Sequence, residues 1–161
     1  MARTEHVIST TPDRVFAILA DGWTYSDWVV GTAHIRAVDA SWPQVGARLF
    51  HKAGPWPISI RDMTTIVESE PPRLLVMKLR LWPLGAGIAR FELEQVAERT
   101  TRVTLHEEFT EGPLQAIQTK INDLALHVRN KESLRRLADL ATRRTPRAAD
   151  AESAGLDQTG R

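Results

Sequence analysis

Three side chains of this sequence could hold a polar group or move a proton at an enclosed site: Glu107, Arg61 and His51. They stand in "RVTLHEEF", "ISIRDMTTIVE" and "GARLFHKA", where apolar and polar residues alternate, so the two-residue period of a strand can turn each toward a core. A carboxylate walled by apolar groups resists ionisation unless a cation such as Arg61 lies close. In either state it can anchor a ligand or serve as an acid or base. The plainer alternative is that Glu107 reaches the rim or pairs structurally, and that His51, like His127, is a satisfied structural histidine. Other chemistries lack their residues. His6, His34, His51, His106 and His127 lie far apart, so no metal site is expected. "GPWP" and "PLGAG" lack the lysine and the strand-to-helix setting of a phosphate loop, no serine stands in a nucleophile elbow, and there is no cysteine. No cofactor is expected.

The elements that must position these groups follow from the patterning. "RTEHVIS" reads as a short strand. In "TTPDRVFAILA", Thr10 or Thr11 can cap a helix with Pro12 in its first turn, and Val15, Phe16, Ile18 and Leu19 give it an apolar face. Gly22 ends that helix and opens "GWTYSDWVVG", where Trp28 suits a structural plug and Tyr25 can offer a ligand its hydroxyl. From about residue 33 to 109, six extended segments alternate with turns such as "WPQVG", "SEPPR" and "AERTT". Connections this short require sequential antiparallel neighbours. Trp42, Trp56 and Trp82 each adjoin a proline in such turns, at a pocket rim or over the sheet ends.

Register decides which side chains face inward. Leu75, Met77 and Leu79 share one face of their strand, with Lys78 and Arg80 on the other. Setting Val67 opposite Leu75 brings Met63 opposite Leu79 and Arg61 opposite Leu81, all inside. In the last hairpin, a three-residue loop at Arg99, Thr100 and Thr101 pairs Phe91 with Phe109 and Leu93 with Glu107, with Leu105 on the same inner face. Beyond Gly112-Pro113, Leu114, Ile117, Ile121, Leu124 and Val128 recur at threes and fours, and Leu134, Leu137 and Leu140 continue the stripe with some drift. A helix of about 28 residues, roughly 42 Å long, is expected to cross the whole sheet. Arg129, Lys131, Arg135 and Arg136 fall mostly opposite the stripe, on a solvated face.

Composition limits the partners. The 161 residues suffice for one domain, expected over 1–143, with a disordered tail over 144–161, where large apolar residues are nearly absent. The 21 basic and 20 acidic residues are scattered, so nucleic acid is not an expected partner. No run approaches a membrane span and "MARTEHVIST" has no secretory stretch, so a cytoplasmic protein is expected, as monomer or homodimer.

The order of strand, short helices, antiparallel meander and long last helix is that of the α+β helix-grip fold, with a curved sheet of about seven strands around the helix. "ISTTPDRVFAILADGWTYSDW", "VGARL", "VESEPPRLLVMKL", "FELEQVAERTTRVTLHEEF" and "GPL" occur in the order seen in one family. On these pieces the chain resembles the polyketide cyclase/dehydrase and lipid-transport family, within the superfamily of START domains and birch-pollen-type allergens. The resemblance implies a cavity between sheet and helix. It would be lined here by Tyr25, Trp28, His51, Arg61, Met63, Leu75, Met77, Leu79, Phe91, Leu105, Glu107, Phe109, Ile121 and Leu124, and would hold a hydrophobic small molecule. Noncatalytic binding or transport is the first expectation. A cyclase or dehydratase using Glu107, Arg61 or His51, and a regulatory protein-interaction module, are the alternatives.

Overall fold

The computed structural model describes residues 2–53, 60–81, 83, 85–113 and 120–143, without the side chains of 81 and 120–123. The expected tail, Trp56, Trp82, Leu114, Ile117 and the Ile121 side chain lie outside the described residues. The elements are β1 (Ala2–Ile8), α1 (Pro12–Leu19), a 3₁₀ turn (Gly22–Thr24), α2 (Tyr25–Trp28), β2 (Thr32–Val38), β3 (Arg48–Ala53), β4 (Ile60–Glu70), β5 (Leu74–Leu81), β6 (Gly85–Ala97), β7 (Thr100–Glu111) and α3 (Lys120–Arg143).

One curved antiparallel sheet has the order β1-β7-β6-β5-β4-β3-β2. The meander β2 to β7 follows from the short connections, and β1 joins beside β7 to complete seven strands. α1 starts at Thr11 with Pro12 in its first turn, where a missing N–H does no harm, and buries Val15, Phe16, Ile18 and Leu19. These meet Leu49, Ile66, Leu75, Met77, Phe91, Leu93, Val103 and Leu105 from the inner sheet face. Trp42 closes one end, its indole donating to the Leu19 carbonyl at 3.1 Å.

Two registers differ from the sequence expectation, with opposite consequences. The β6–β7 hairpin turns at Glu98 and Arg99, and Phe91 pairs with Leu105, Ala89 with Glu107 and Gly87 with Phe109. The expected pairing was off by four residues, an even number, so Glu107 still faces inward. In β4, Glu70 pairs with Leu74, but a bulge at Val67 shifts the register between Ile66 and Glu68. One extra residue reverses the facing beyond it. Asp62, Thr64 and Ile66 are buried, whereas Arg61 is exposed and Met63 lies half-buried on the outer face. The expectation that Arg61 and Met63 enter the cavity is therefore corrected.

The helix face also needs correction. Asn130, Ser133, Leu134, Leu137 and Ala141 are buried, while Leu124 and Val128 are 63% and 62% exposed. At about 100° per residue the early stripe has rotated well away from the face that Leu134 and Leu137 present to the sheet. Leu124 does not line an interior. Polar ties set the height of α3: Thr4 Oγ1 and His127 Nδ1 lie 3.1 Å apart in a hydrogen bond, and Val30 N donates to Ser133 Oγ at 3.1 Å.

Candidate functional site

Between α2, the inner sheet face and α3, polar side chains converge in an otherwise apolar core. Glu107 on β7 has a side chain only 2% exposed, and Arg129 Nη2 donates to both its carboxylate oxygens, at 2.9 and 3.1 Å. The guanidinium is 36% exposed, so the pair has a dry end and a wet end. Arg129 was expected on the solvated face of its helix. Its long side chain reaches round to the interior and fills the cationic role foreseen for Arg61.

Aromatic rings wall one side. Tyr25 and Trp28 meet edge to face with centroids 5.3 Å apart, and Trp28 meets Phe91 likewise at 5.6 Å. The His51 ring lies 5.7 Å from Tyr25. Burial pushes the Tyr25 hydroxyl up to about 12, a rise tempered by Thr64 and by the charge of Arg129 and reinforced by Glu107 and Asp62. Thr64 Oγ1 is itself buried without a hydrogen-bond partner. The tyrosine stays a neutral donor at physiological pH.

Asp62 and His51 are cross-strand partners, both on the inner face. Burial raises Asp62 to about 6, although Met63 N donates to its carboxylate at 2.8 Å and Arg80 also favours the charge. His51 is shifted the other way, because desolvation disfavours the imidazolium, and the Leu49 carbonyl only partly offsets this. Near neutrality the interior therefore presents a neutral imidazole, with Nδ1 lacking a partner, beside a carboxyl that titrates close to the working range.

The space among these groups follows from the inner residues of β6, which grade in size through Gly87, Ala89, Phe91 and Leu93. Phe91 and Leu93 fill one end of the sheet; Ala89 and Gly87 leave the other low. A void of about 20 Å³ lies there, bounded by Tyr25, Trp28, Met77, Leu79, Glu107 and Arg129 among others. Trp28 Nε1 and Asn130 Nδ2 are buried donors without partners, and both residues border this void. Leu105 also borders it, Leu75 is core beside it, and half-buried Phe109 extends the inner face beyond Gly87. Among the described residues, no group of histidine, aspartate and glutamate is placed to hold a metal.

Sequence reasoning missed Asp62, Thr64, Asn130 and Ser133. An asparagine three and four residues before Ser133 and Leu134 in an apolar helix stripe was the readable signal; Asp62 and Thr64 were hidden by the bulge.

The sequence profile of the polyketide cyclase/dehydrase and lipid transport family matches residues 2–142. The chain belongs to this family. Solved structures agree on the fold of this family member. The Zhui aromatase/cyclase of Streptomyces sp. R1128 superposes with a TM-score of 0.69 at 16% identity, covering 92% of this chain and 96% of that one. A Chromobacterium violaceum protein gives 0.65 at 19%, over 86% and 94%. The di-domain aromatase/cyclase BexL of the BE-7585A biosynthetic pathway gives 0.65 at 14%, over 88% of this chain and 47% of that one. At such identities the likeness is one of fold. Among proteins of curated function, none matches this sequence. No helix among the described residues is long and apolar enough to cross a membrane.

Proposed function

We propose that the chain binds a hydrophobic small molecule carrying oxygen acceptors, between the inner sheet face and α3, as a carrier or sensor rather than a catalyst. The observation that carries this reading is the pair of unpartnered buried donors, Trp28 Nε1 and Asn130 Nδ2, beside the Glu107–Arg129 pair. Each unmade buried hydrogen bond costs roughly 1–3 kcal/mol, which a ligand carbonyl or hydroxyl would recover. The void itself, about 20 Å³, has room for about one water. The apolar body of the ligand would therefore run along Leu79 and Phe109, past the small Gly87 and Ala89 of β6.

Native mass spectrometry of the purified chain, followed by solvent extraction, tests the reading. A retained apolar molecule, or saturable uptake of anilinonaphthalene sulfonate that Ala89→Leu abolishes, is the expected result. A ligand-free protein that takes up no probe would overturn it.

One observation favours a cyclase-type second reading: Asp62, at about 6, and neutral His51 share the face that Tyr25 closes. Such a pair suits proton transfer near neutrality. Turnover of the extracted ligand by the native chain, lost in Asp62→Asn and His51→Gln with binding retained, would establish it.

A further inference from the structure

The outer face of the sheet carries a second concavity, which shares Asp62 with the interior. Most cations of that face are matched with carboxylates: Arg48 with Asp39, Arg90 with Glu68 and Glu92, Arg102 with Glu94, and Lys78 with Glu111. Arg36 on β2, Arg61 on β4 and Arg80 on β5 break the pattern. None has a carboxylate of the described residues within ion-pair distance, yet all three border one concavity of about 320 Å³, floored by Phe50 and Met63. Its one acidic neighbour, Asp62, is buried and accepts from Met63 N. Lys52 is the cross-strand partner of Arg61 and adds to the positive potential.

The register explains how these cations meet. The β4 bulge that takes Arg61 out of the core sets it on the face that Arg80 and Phe50 already occupy, and the shift between Ile35 and Ala37 makes Arg36 the extra residue of β2. Three guanidiniums without an ion-pair partner around one hollow repel one another, offset only in part by the nearby Asp62, and an anion seated among them relieves that repulsion. A larger groove at the opposite end of β4 and β5, about 690 Å³, offers no such site: Asp13, Glu68, Glu70, Glu92 and Glu94 line it, and its Arg73 and Arg90 are already paired.

We infer that Arg36, Arg61 and Arg80 over Phe50 and Met63 form a binding site for a phosphate monoester with an apolar body. Each guanidinium presents a planar fork of donors that suits the oxygens of a dianionic phosphate, more of them than a carboxylate provides. Phe50 and Met63 give a ring or alkyl group an apolar seat, and the volume lies at the lower end of the roughly 300–1,000 Å³ typical of small-molecule sites. The phosphate belongs either to a soluble ester or to a lipid headgroup, and the same arginines would read both.

Isotope-resolved amide and arginine shifts of the full chain, titrated with phenyl phosphate and separately with inorganic phosphate, test the inference. At low salt, phenyl phosphate should give saturable shifts centred on Arg36, Arg61, Arg80 and Phe50, weakened by roughly 0.3 M sodium chloride. Arg61→Ala should weaken binding about fivefold and Arg61→Ala with Arg80→Ala about twentyfold, while Arg102→Ala, which removes a matched arginine, changes it less than twofold. Vesicles of phosphatidylcholine with phosphatidic acid separate the sources. Arginine-dependent binding to vesicles without phenyl phosphate binding assigns a headgroup, and binding of phenyl phosphate assigns a soluble ester. Absence of both, or equal loss in Arg102→Ala, overturns the site. Equal affinity for phenyl phosphate and inorganic phosphate overturns the role of Phe50 and Met63.

Discussion

Breaking the Glu107–Arg129 pair should cost different amounts from its two ends. Removing one partner of a fully buried pair costs about 3–5 kcal/mol, because the survivor is stranded without water; an exposed pair is worth about 0–1 kcal/mol. Glu107 is at the first limit and Arg129 between them, with side chains 2% and 36% exposed. In Arg129→Met the packing stem stays but the carboxylate is left dry and unpaired, so the loss should be about 3–4 kcal/mol. In Glu107→Gln an amide oxygen can still accept one bond and the guanidinium can turn to solvent, so about 1 kcal/mol should suffice. The double variant should resemble Glu107→Gln alone, giving a coupling of about 3–4 kcal/mol. Urea unfolding followed by tryptophan fluorescence reads these differences, with unchanged m-values as the check that two-state behaviour holds. A separation of about 4–12 °C in Tm is expected between the single variants. If Arg129→Met costs no more than Glu107→Gln, or the losses simply add, the asymmetry drawn from burial is wrong.

Asp62, raised to about 6 from 3.8, contributes stability that is fully present below about pH 4 and is lost as pH rises through 6. Asp62→Asn should therefore gain about 1–3 kcal/mol on the native chain between pH 4 and 7.5, measured by urea midpoints across that range. His51, lowered by desolvation, acts in reverse: its contribution is present above its unfolded value of 6.5 and lost as pH falls, so His51→Gln should flatten the acid limb of the same profile. Ala89→Leu should overfill the void beside Glu107, costing about 1–3 kcal/mol in unfolding and abolishing probe uptake; uptake at native level would mean that the void is not on the binding path. Leu134→Ala should cost about 2–5 kcal/mol and Leu124→Ala under about 0.5, a contrast that calorimetry would reveal and that equal losses would refute.

Much of the fold could be read because its cues are local. Alternation in "RLLVMKLRL" placed Leu75, Met77 and Leu79 together, and short proline- and glycine-bearing turns forced antiparallel neighbours. Glu107 was turned the right way although its partner was misassigned, since facing depends only on whether a register error is odd or even. The site was less legible. Nothing in a sequence announces a bulge at an ordinary valine, and that residue decides whether Arg61 or Asp62 is inside. Arg129 was obscure for another reason: a side chain of its length can leave the helix face on which its Cα sits and reach a buried carboxylate one layer away.

The bulge in β4 also separates what may vary from what must be kept. Val67 is 48% exposed, so the choice of side chain there matters little. Its presence matters greatly. Deleting it would exchange the linings of two surfaces at once, driving Arg61 into the core and turning Asp62 and Thr64 out to water. Related chains should therefore tolerate almost any residue at this point of the strand yet keep its length, and a one-residue gap there should mark a protein whose interior chemistry has changed wholesale.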